Sequence, residues 1–264
     1  MDYKLKKILN KNYEHYHRKY SSTDPIWNLY RFSNELDIEV AGFITSVYSY
    51  GSVDQINYFI TRLLNKIGNR VYEFTLNYSK SKDKKYLDNL CYRFQTEREL
   101  GLLFDALKKS LRKNCSLRNA FIKYIKPYDE NILSALQNFV TELKNGKEHG
   151  RSFNHLIPEP ASGSACKRLN LFLRWMVRKD DIDFGIWQEV GASRLLMPVD
   201  VHVHRISSQL GLVSRKSCDL KFSLMLTEKL KEFDPDDPVK YDFALCHIGI
   251  DSGLNKSETI KSGS

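Results

Sequence analysis

The chain has 264 residues, of which 42% are hydrophobic and 28% are charged. It is therefore long enough to bury a core, and its composition excludes an intrinsically disordered chain. No apolar run approaches the length of a membrane span, so we expect no membrane partner. The formal net charge is +9, which favours partners that carry phosphates, although many basic surfaces are merely solvated.

The cysteines predict a reduced protein. Five cysteines are scattered along the chain without a C-x-x-C pair: Cys91, Cys115, Cys166, Cys218 and Cys246. An odd number of cysteines and the lack of a secretion signal indicate free thiols and a cytoplasmic location. His202 and His204 would share a face on a strand but not on a helix, so we expect no metal site and no cofactor.

The spacing of apolar residues predicts helices through the first part of the chain. These predicted helices span residues 2–20, 37–50, 53–67, 87–111, 117–125 and 131–143. A charged loop is expected at residues 79–85. Residues 68–150 contain no pattern that indicates a particular chemistry.

The composition changes at Ile157, where two prolines predict a turn that leads into a helix capped by Ser164. Further helices are expected at residues 184–190, 200–210, 220–233 and 238–249. We therefore predict an all-α fold that forms one unit over residues 1–258, followed by a flexible tail over residues 259–264.

The helix after Pro198 carries the first candidate residue, Asp200. Its carboxylate is placed to accept free backbone N–H groups as an N-cap. Apolar residues then recur at helical spacing, and Gly211 ends the helix. They are Val199, Val203, Ile206 and Leu210. A carboxylate is thus held at the end of a helix whose apolar face is fixed in the core. A cap with no other role is the alternative interpretation of Asp200.

The helix after Ser164 carries the second candidate residue, Lys167. Its apolar face consists of Leu169, Phe172, Leu173 and Met176. Its polar face consists of Lys167, Asn170, Arg174 and Arg178. A lysine in the first turn of a basic helix is usually a surface residue, and the same holds for an asparagine on the polar face.

These segments resemble the helix-hairpin-helix DNA glycosylases, the endonuclease III superfamily. Residues 199–206 (VDVHVHRI) resemble the family's VDTH(V/I)xRV signature, and residues 167–173 (KRLNLFL) fit its K-x-x-N-x-x-L pattern. Residues 49–54 (SYGSVD) resemble the SAQATD segment. The resemblance covers residues 39–66 and 152–250, and the runs at 163–178 and 234–243 resemble an uncharacterised bacterial family within this superfamily.

The resemblance implies a two-lobed helical fold with a cleft between the lobes, in which the N-terminal and C-terminal segments contribute to one lobe. It also implies that Lys167 and Asp200 are catalytic. Some members carry an iron–sulfur cluster on four cysteines, and Cys218 and Cys246 are too few to hold one here. The segment between Lys167 and Asp200 is longer than in endonuclease III and is similar to that of archaeal 8-oxoguanine glycosylases.

The chemistry of base removal fits a lysine and an aspartate. Breaking the bond between C1′ and the base produces a cationic transition state, which a nearby carboxylate stabilises. A neutral amine can attack C1′, form a Schiff base with the opened sugar and permit elimination of the phosphate. Neighbouring cations such as Arg168 or Arg174 would lower the pKa of Lys167 and favour its neutral form.

The resemblance also implies where DNA would bind. The turn Ser162-Gly163-Ser164 precedes a positive helix end and could seat a phosphate, although it lacks the LPGVG motif of the family's hairpin. Gly51 occupies the position of the glutamine that probes the gap left by a flipped base. We expect Arg168, Arg174 and Arg178 on the rim of a DNA cleft.

Three further residues complete the candidate site. Asn170 matches the family asparagine, and His202 matches the family histidine, which is expected to form structural hydrogen bonds. Trp187 is the best candidate to stack on an extruded base, although core packing is the commoner role of a tryptophan.

The sequence thus predicts a bacterial base-excision-repair enzyme. It would be a monomeric DNA glycosylase and AP lyase that removes a damaged base, such as an oxidised purine, through a Schiff base on Lys167 assisted by Asp200. The alternative is a non-catalytic nucleic-acid-binding protein on the same scaffold. The lesion and the preference for single or double strands are left open.

Overall fold

A computed structural model describes residues 2–17, 24–146 and 149–248. Within these ranges the chain is helical, and extended pairing is limited to the isolated bridges Tyr92–Gln95 and Lys179–Phe184. The predicted all-α fold is therefore confirmed. The predicted tail at residues 259–264 and the predicted helix end at Gly249 lie outside the described ranges.

The α-helices make up most of the described ranges. They are α1 (Tyr3–Tyr16), α2 (Glu35–Val47), α3 (Val53–Ile67), α4 (Val71–Asn77), α5 (Lys80–Leu87), α6 (Glu97–Asn114), α7 (Leu117–Ile122), α8 (Leu133–Leu143), α9 (Arg151–Leu156), α10 (Lys167–Val177), α11 (Val201–Gln209), α12 (Leu220–Lys231) and α13 (residues 242–248). A long connection separates α10 from α11. Short 3₁₀ turns lie at Pro25–Arg31, Pro160–Ser162, Ala192–Arg194 and Pro238–Tyr241. No helix of the described ranges is both long enough and apolar enough to cross a membrane.

The structure corrects two predictions in the first part of the chain. The segment predicted as a charged loop at residues 79–85 is largely helical, as α5. The helix predicted over residues 87–111 begins only at Glu97, because Thr96 and Glu99 form a reciprocal capping box. Residues 88–96 form an irregular connection instead.

Two predictions near α10 are also wrong. Ser164 does not cap this helix, which begins at Lys167. Residues 184–190 are not helical. Their backbone instead runs past the end of α10, where the amides of Phe184 and Trp187 donate to the carbonyls of Trp175 (2.9 Å) and Met176 (2.8 Å). This pairing satisfies carbonyls that the end of a helix would otherwise leave unpaired.

The core is organised around α2, which packs against α10, α4, α7 and the 3₁₀ turn at Pro25–Arg31. Every residue of α2 from Ile38 to Val47 is buried. A Cβ atom at Gly42 would lie 3.0 Å from Cε of Met176, so a glycine allows α2 and α10 to approach closely. This contact fixes the helix that carries Lys167.

The two ends of the described chain pack together. The hydroxyl of Tyr241 donates to Oδ1 of Asn10 at 2.9 Å, and the ring of Tyr13 lies edge-on to that of Tyr241. Helix α1 therefore rests on the 3₁₀ turn that precedes α13.

Candidate active site

Asp200 is the N-cap of α11, as predicted. Its Oδ1 accepts hydrogen bonds from the amides of His202 (2.9 Å) and Val203 (3.0 Å). The residues Val199, Val203 and Ile206 are buried and anchor the helix. Because capping uses only Oδ1, the second oxygen, Oδ2, is held in a fixed direction and can interact with another group.

That other group is Lys167, the first residue of α10. Its Nζ lies 3.8 Å from Oδ2 of Asp200, and the two side chains are 27% and 25% exposed. This separation is longer than a hydrogen bond, so the amine is close to the carboxylate without being tightly held by it. The structure thus brings together the two residues that the sequence singled out, and both remain accessible to solvent.

The backbone before Lys167 is held in an unusual conformation. Cys166 has a positive φ of 47°, and its amide donates to Oγ of Ser164 at 3.1 Å. Burial raises the pKa of the Cys166 thiol to about 11, so this cysteine stays protonated and inert. Its left-handed backbone conformation forms the entry into α10, immediately before Lys167.

A buried carboxylate that the sequence analysis missed lies near the pair. Asp242, the first residue of α13, accepts a hydrogen bond from Nη1 of Arg174. Burial raises the pKa of Asp242 to about 6, the positive charges of Arg174 and Lys167 oppose this shift, and the negative charge of Asp200 adds to it. The signal that could have found it is an aspartate within the apolar run of α13.

The charges of the pair also reach a nearby thiol. Burial raises the pKa of Cys246, and the negative charge of Asp200 raises it further while Lys167 opposes the shift. Asp242 and Cys246 are four residues apart and lie on one face of α13. The C-terminal helix of the described chain therefore borders the Lys167–Asp200 pair.

The three arginines expected on the rim of a cleft are buried, so that prediction is wrong. Arg168, Arg174 and Arg178 are 9%, 3% and 5% exposed. Arg168 donates to the carbonyls of Val47 (2.9 Å) and His155. Burial lowers its pKa to about 10, and it holds α9 and α10 against α2.

Arg174 and Arg178 belong to a buried network of charges. Arg174 pairs with Asp183 and Asp242, and Arg178 pairs with Asp180, Asp183 and Asp237. The network joins α10 to the loop that follows it and to the start of the C-terminal segment. A buried arginine needs carboxylate partners, and these partners occupy the guanidinium groups that DNA would have needed.

Two more candidates, Trp187 and Asn170, are buried and hydrogen-bonded within the fold. Trp187 is fully buried, and its Nε1 donates to Oε1 of Glu39 at 3.0 Å, so it cannot stack on an extruded base. Asn170 is 2% exposed, and its Nδ2 donates to the carbonyl of Ala165 at 3.0 Å. It braces the turn before Lys167 and is not available to DNA. His202 is only partly buried, and its amide is one of the donors to Asp200.

The turn Ser162-Gly163-Ser164 connects α9 to α10, but two of its amides are already engaged. The amide of Ser162 donates to the carbonyl of Glu159 at 3.1 Å, and that of Gly163 donates to the carbonyl of Pro160 at 2.9 Å. These two donors are therefore not free for a phosphate. The φ of +79° at Gly163 suits glycine and lets the chain reverse here.

Gly51 lies on the surface just before α3, with a φ of +96°. A Cβ atom at this position would lie 2.5 Å from Nη1 of Arg93 and 3.1 Å from the hydroxyl of Tyr92. The space in front of Gly51 is therefore filled by the segment that precedes α6, which the sequence analysis had placed inside a helix.

Comparison with known families assigns the chain to one of them. Residues 24–251 match the family described as "Protein of unknown function (DUF2400)". Since the match spans most of the chain, the protein belongs to this family. Searches of curated proteins and of solved structures found no match.

Proposed function

We propose that this protein is a DNA glycosylase with AP lyase activity that acts in base excision repair. The observation that carries the proposal is the separation of 3.8 Å between Nζ of Lys167 and Oδ2 of Asp200, with both side chains about one-quarter exposed. A nucleophile and a carboxylate that are close, oriented and accessible form the minimal apparatus for cleaving a glycosidic bond.

In the proposed reaction the neutral amine of Lys167 attacks C1′ of the damaged nucleotide, and the bond between C1′ and the base breaks. The base leaves with the bonding electrons and takes up a proton. The sugar ring then opens, and a Schiff base forms between Nζ and C1′. Loss of a proton from C2′ expels the 3′ phosphate and cuts the strand.

Asp200 has two roles in this scheme. Its Oδ2 faces Nζ and can accept the proton that Lys167 must lose before it attacks. The same oxygen stabilises the positive charge that develops on the sugar. Because Oδ1 is bonded to the start of α11, the carboxylate is oriented before the substrate arrives and needs no reorganisation.

The proposed partner is DNA that contains a damaged base, such as an oxidised purine, bound by a monomer in the cytoplasm. With the arginines of α10 buried, other cations must contact the phosphates. Lys216 is exposed in the loop before α12, whose Leu220 amide donates to the carbonyl of Gly163 at 2.9 Å. Burial raises the pKa of Cys218 in this loop, and the charge of Asp200 raises it further, so the loop that carries Lys216 comes close to Asp200.

Borohydride trapping tests the proposal. The wild-type chain should form a covalent adduct with a duplex that contains an abasic site, because borohydride reduces the Schiff base to a stable amine. Lys167→Gln should abolish the adduct. Lys179→Gln, which removes an exposed lysine just beyond the other end of α10, is the matched control and should leave it unchanged.

Two results would contradict the proposal. An adduct that persists in Lys167→Gln would remove the assigned nucleophile. No adduct from the wild-type chain, together with DNA binding that weakens steeply with added salt, would favour a non-catalytic nucleic-acid-binding protein.

A further inference from the structure

The connection between α5 and α6 contains a tight turn that presents two side chains to solvent. Tyr92 and Gln95 pair through both backbone hydrogen bonds, at 2.9 and 3.0 Å, and Arg93 and Phe94 form the tip. Phe94 is 54% exposed, and Arg93 is exposed as well. A phenylalanine and an arginine are thus placed side by side at the exposed tip of the turn.

The base of this turn is firmly held. The side chain of Gln95 accepts a hydrogen bond from the hydroxyl of Tyr50 and donates to the carbonyl of Ser152 at 3.4 Å. The hydroxyl of Tyr92 donates to the carbonyl of Tyr50. Both Tyr92 and Gln95 are buried. The tip is therefore mounted on a rigid support, and its exposure does not come from a loose loop.

The tip also carries backbone strain. Arg93 has a φ of 57°, a conformation that a residue with a Cβ atom adopts at a cost and that glycine adopts freely. The side chain of Arg93 stays exposed, although its guanidinium lies 5.8 Å from the ring centroid of Tyr50 and borders Gly51. Strain that the fold tolerates at an exposed, charged residue is typical of sites that bind a partner.

The turn is connected to the candidate active site. The guanidinium of Arg168, the residue after Lys167, lies over the ring of Tyr50 at 4.9 Å. The ring of Phe94 lies edge-on to His155, with centroids 4.8 Å apart, and the carbonyl of His155 accepts from Arg168. The tip and the first turn of α10 therefore share one set of supporting residues.

We propose that Arg93 and Phe94 form a DNA-contacting tip, in which Phe94 stacks on a base that has lost its neighbour and Arg93 binds an adjacent phosphate. The inference rests on the proposed function, which creates such an unstacked base when a nucleotide is flipped out. Exposed aromatic rings stack on any base, and an arginine beside the ring adds attraction for the phosphate. Burial and the charges of Arg168 and Arg93 lower the pKa of His155, so the histidine is the neutral part of this surface and Arg93 is the cationic part.

The test measures the affinity of the full chain for two DNAs by fluorescence anisotropy. One is a duplex with a tetrahydrofuran abasic analogue, and the other is an intact duplex of the same sequence. Phe94→Ala should weaken binding to the abasic duplex at least fivefold, the lower end of the effect of losing one stacked base. Binding to the intact duplex, which offers no unstacked base, should change less.

Four further variants separate stacking from other effects. Phe94→Tyr keeps a ring and should bind like the wild type, whereas Phe94→Leu keeps an apolar side chain and should bind like Phe94→Ala. Tyr128→Ala removes another exposed aromatic that has a lysine over its ring, and it should bind like the wild type. Glycine adopts the positive φ of residue 93 freely, so Arg93→Gly should leave the melting temperature unchanged or raise it. The same variant should reduce the salt dependence of DNA binding by about one phosphate contact.

The outcomes distinguish this inference from the proposed function. If Phe94→Ala binds the abasic duplex like the wild type, Phe94 does not contact DNA and the inference is wrong. That result would not bear on the proposed reaction, which borohydride trapping at Lys167 tests separately. If Phe94→Ala weakens binding but the wild-type chain forms no borohydride adduct, the inference stands and the proposed reaction fails. If the wild-type chain does not bind DNA, both are wrong.

Discussion

Helix α10 and its C-cap residue, Arg178, carry cations of two kinds. Arg168, Arg174 and Arg178 are buried, and each is occupied by carbonyls or carboxylates. Lys167 is 27% exposed on its side chain and faces a single carboxylate at 3.8 Å. The arginines have their hydrogen-bonding groups committed to holding the fold together, whereas the lysine has not. Of these four cations, only Lys167 is free to interact with a substrate.

The largest expected effect comes from the partner of that cation. Asp200→Asn keeps an oxygen that can cap α11 but removes the charge that faces Lys167. Base removal should therefore slow by at least about a hundredfold, because an oriented charge that acts on a developing cation is a large catalytic contribution. The measurement is the single-turnover rate beside the melting temperature. Full activity at unchanged stability would make Asp200 a cap and nothing more.

The second prediction concerns the buried cations. Arg174→Met should destabilise the protein by about 3–5 kcal/mol, because it leaves the carboxylate of Asp242 buried without its partner and removes one of the two arginines that pair with Asp183. Lys167→Met removes one member of a partly exposed pair and should cost less than about 1 kcal/mol. Urea unfolding of both variants measures the contrast. Similar losses in the two would show that Lys167 is structural too.

The sequence predicted the exposed pair better than the buried network. Asp200 could be predicted as a cap because capping is a local feature, fixed by the residues next to it. Lys167 was found only through its match to the K-x-x-N-x-x-L pattern together with the segment around Asp200, because a first-turn lysine is by itself an ordinary surface residue. The burial of Arg174 depends on Asp242, far away in the chain. Periodicity placed Arg174 on the polar face of α10, but it could not show that the loop after α10 and α13 cover that face.

The connection at residues 88–96 was missed for a different reason. The apolar residues from Leu87 to Leu111 continue at helical spacing on both sides of the turn, so periodicity predicted one helix. The signal against it was local: Thr96 followed three residues later by Glu99 is the pattern of a capping box, and it forms in the structure. Giving the cap more weight than the period would have placed Phe94 outside the helix.

A third prediction extends the comparison to another lysine–carboxylate contact. Glu142 accepts hydrogen bonds from Lys113 (2.7 Å), Lys123 (2.6 Å), Asn114 (2.8 Å) and Tyr124 (3.0 Å). Partial burial acts to raise the pKa of Glu142, but these hydrogen bonds outweigh it and lower the pKa to about 2. This carboxylate is bound closely by several donors, unlike Oδ2 of Asp200.

The stability that Glu142 contributes should therefore depend on pH. Its folded pKa lies below the ordinary value of 4.5, so the stabilisation is complete above pH 4.5 and is lost as the pH falls towards 2. Glu142→Gln should cost about 1–2 kcal/mol at pH 7, after allowance for screening by water. The difference from the wild type should shrink on acidification in urea-unfolding curves. A difference that does not vary with pH would mean that the charge is not what the donors stabilise.

The smallest expected effect separates capping from catalysis at Asp200. Asp200→Ala removes the acceptor for two amides and should cost about 1 kcal/mol of stability, whereas Asp200→Asn should cost a few tenths. Asp219 is the matched control, because it caps α12 through the amide of Phe222 at 3.0 Å and pairs with Arg215 rather than Lys167. The same substitutions at Asp219 should lower the melting temperature in a similar order but leave the rate of base removal unchanged. Equal loss of activity from capping defects at both positions would mean that helix ends, and not the charge beside Lys167, control the reaction.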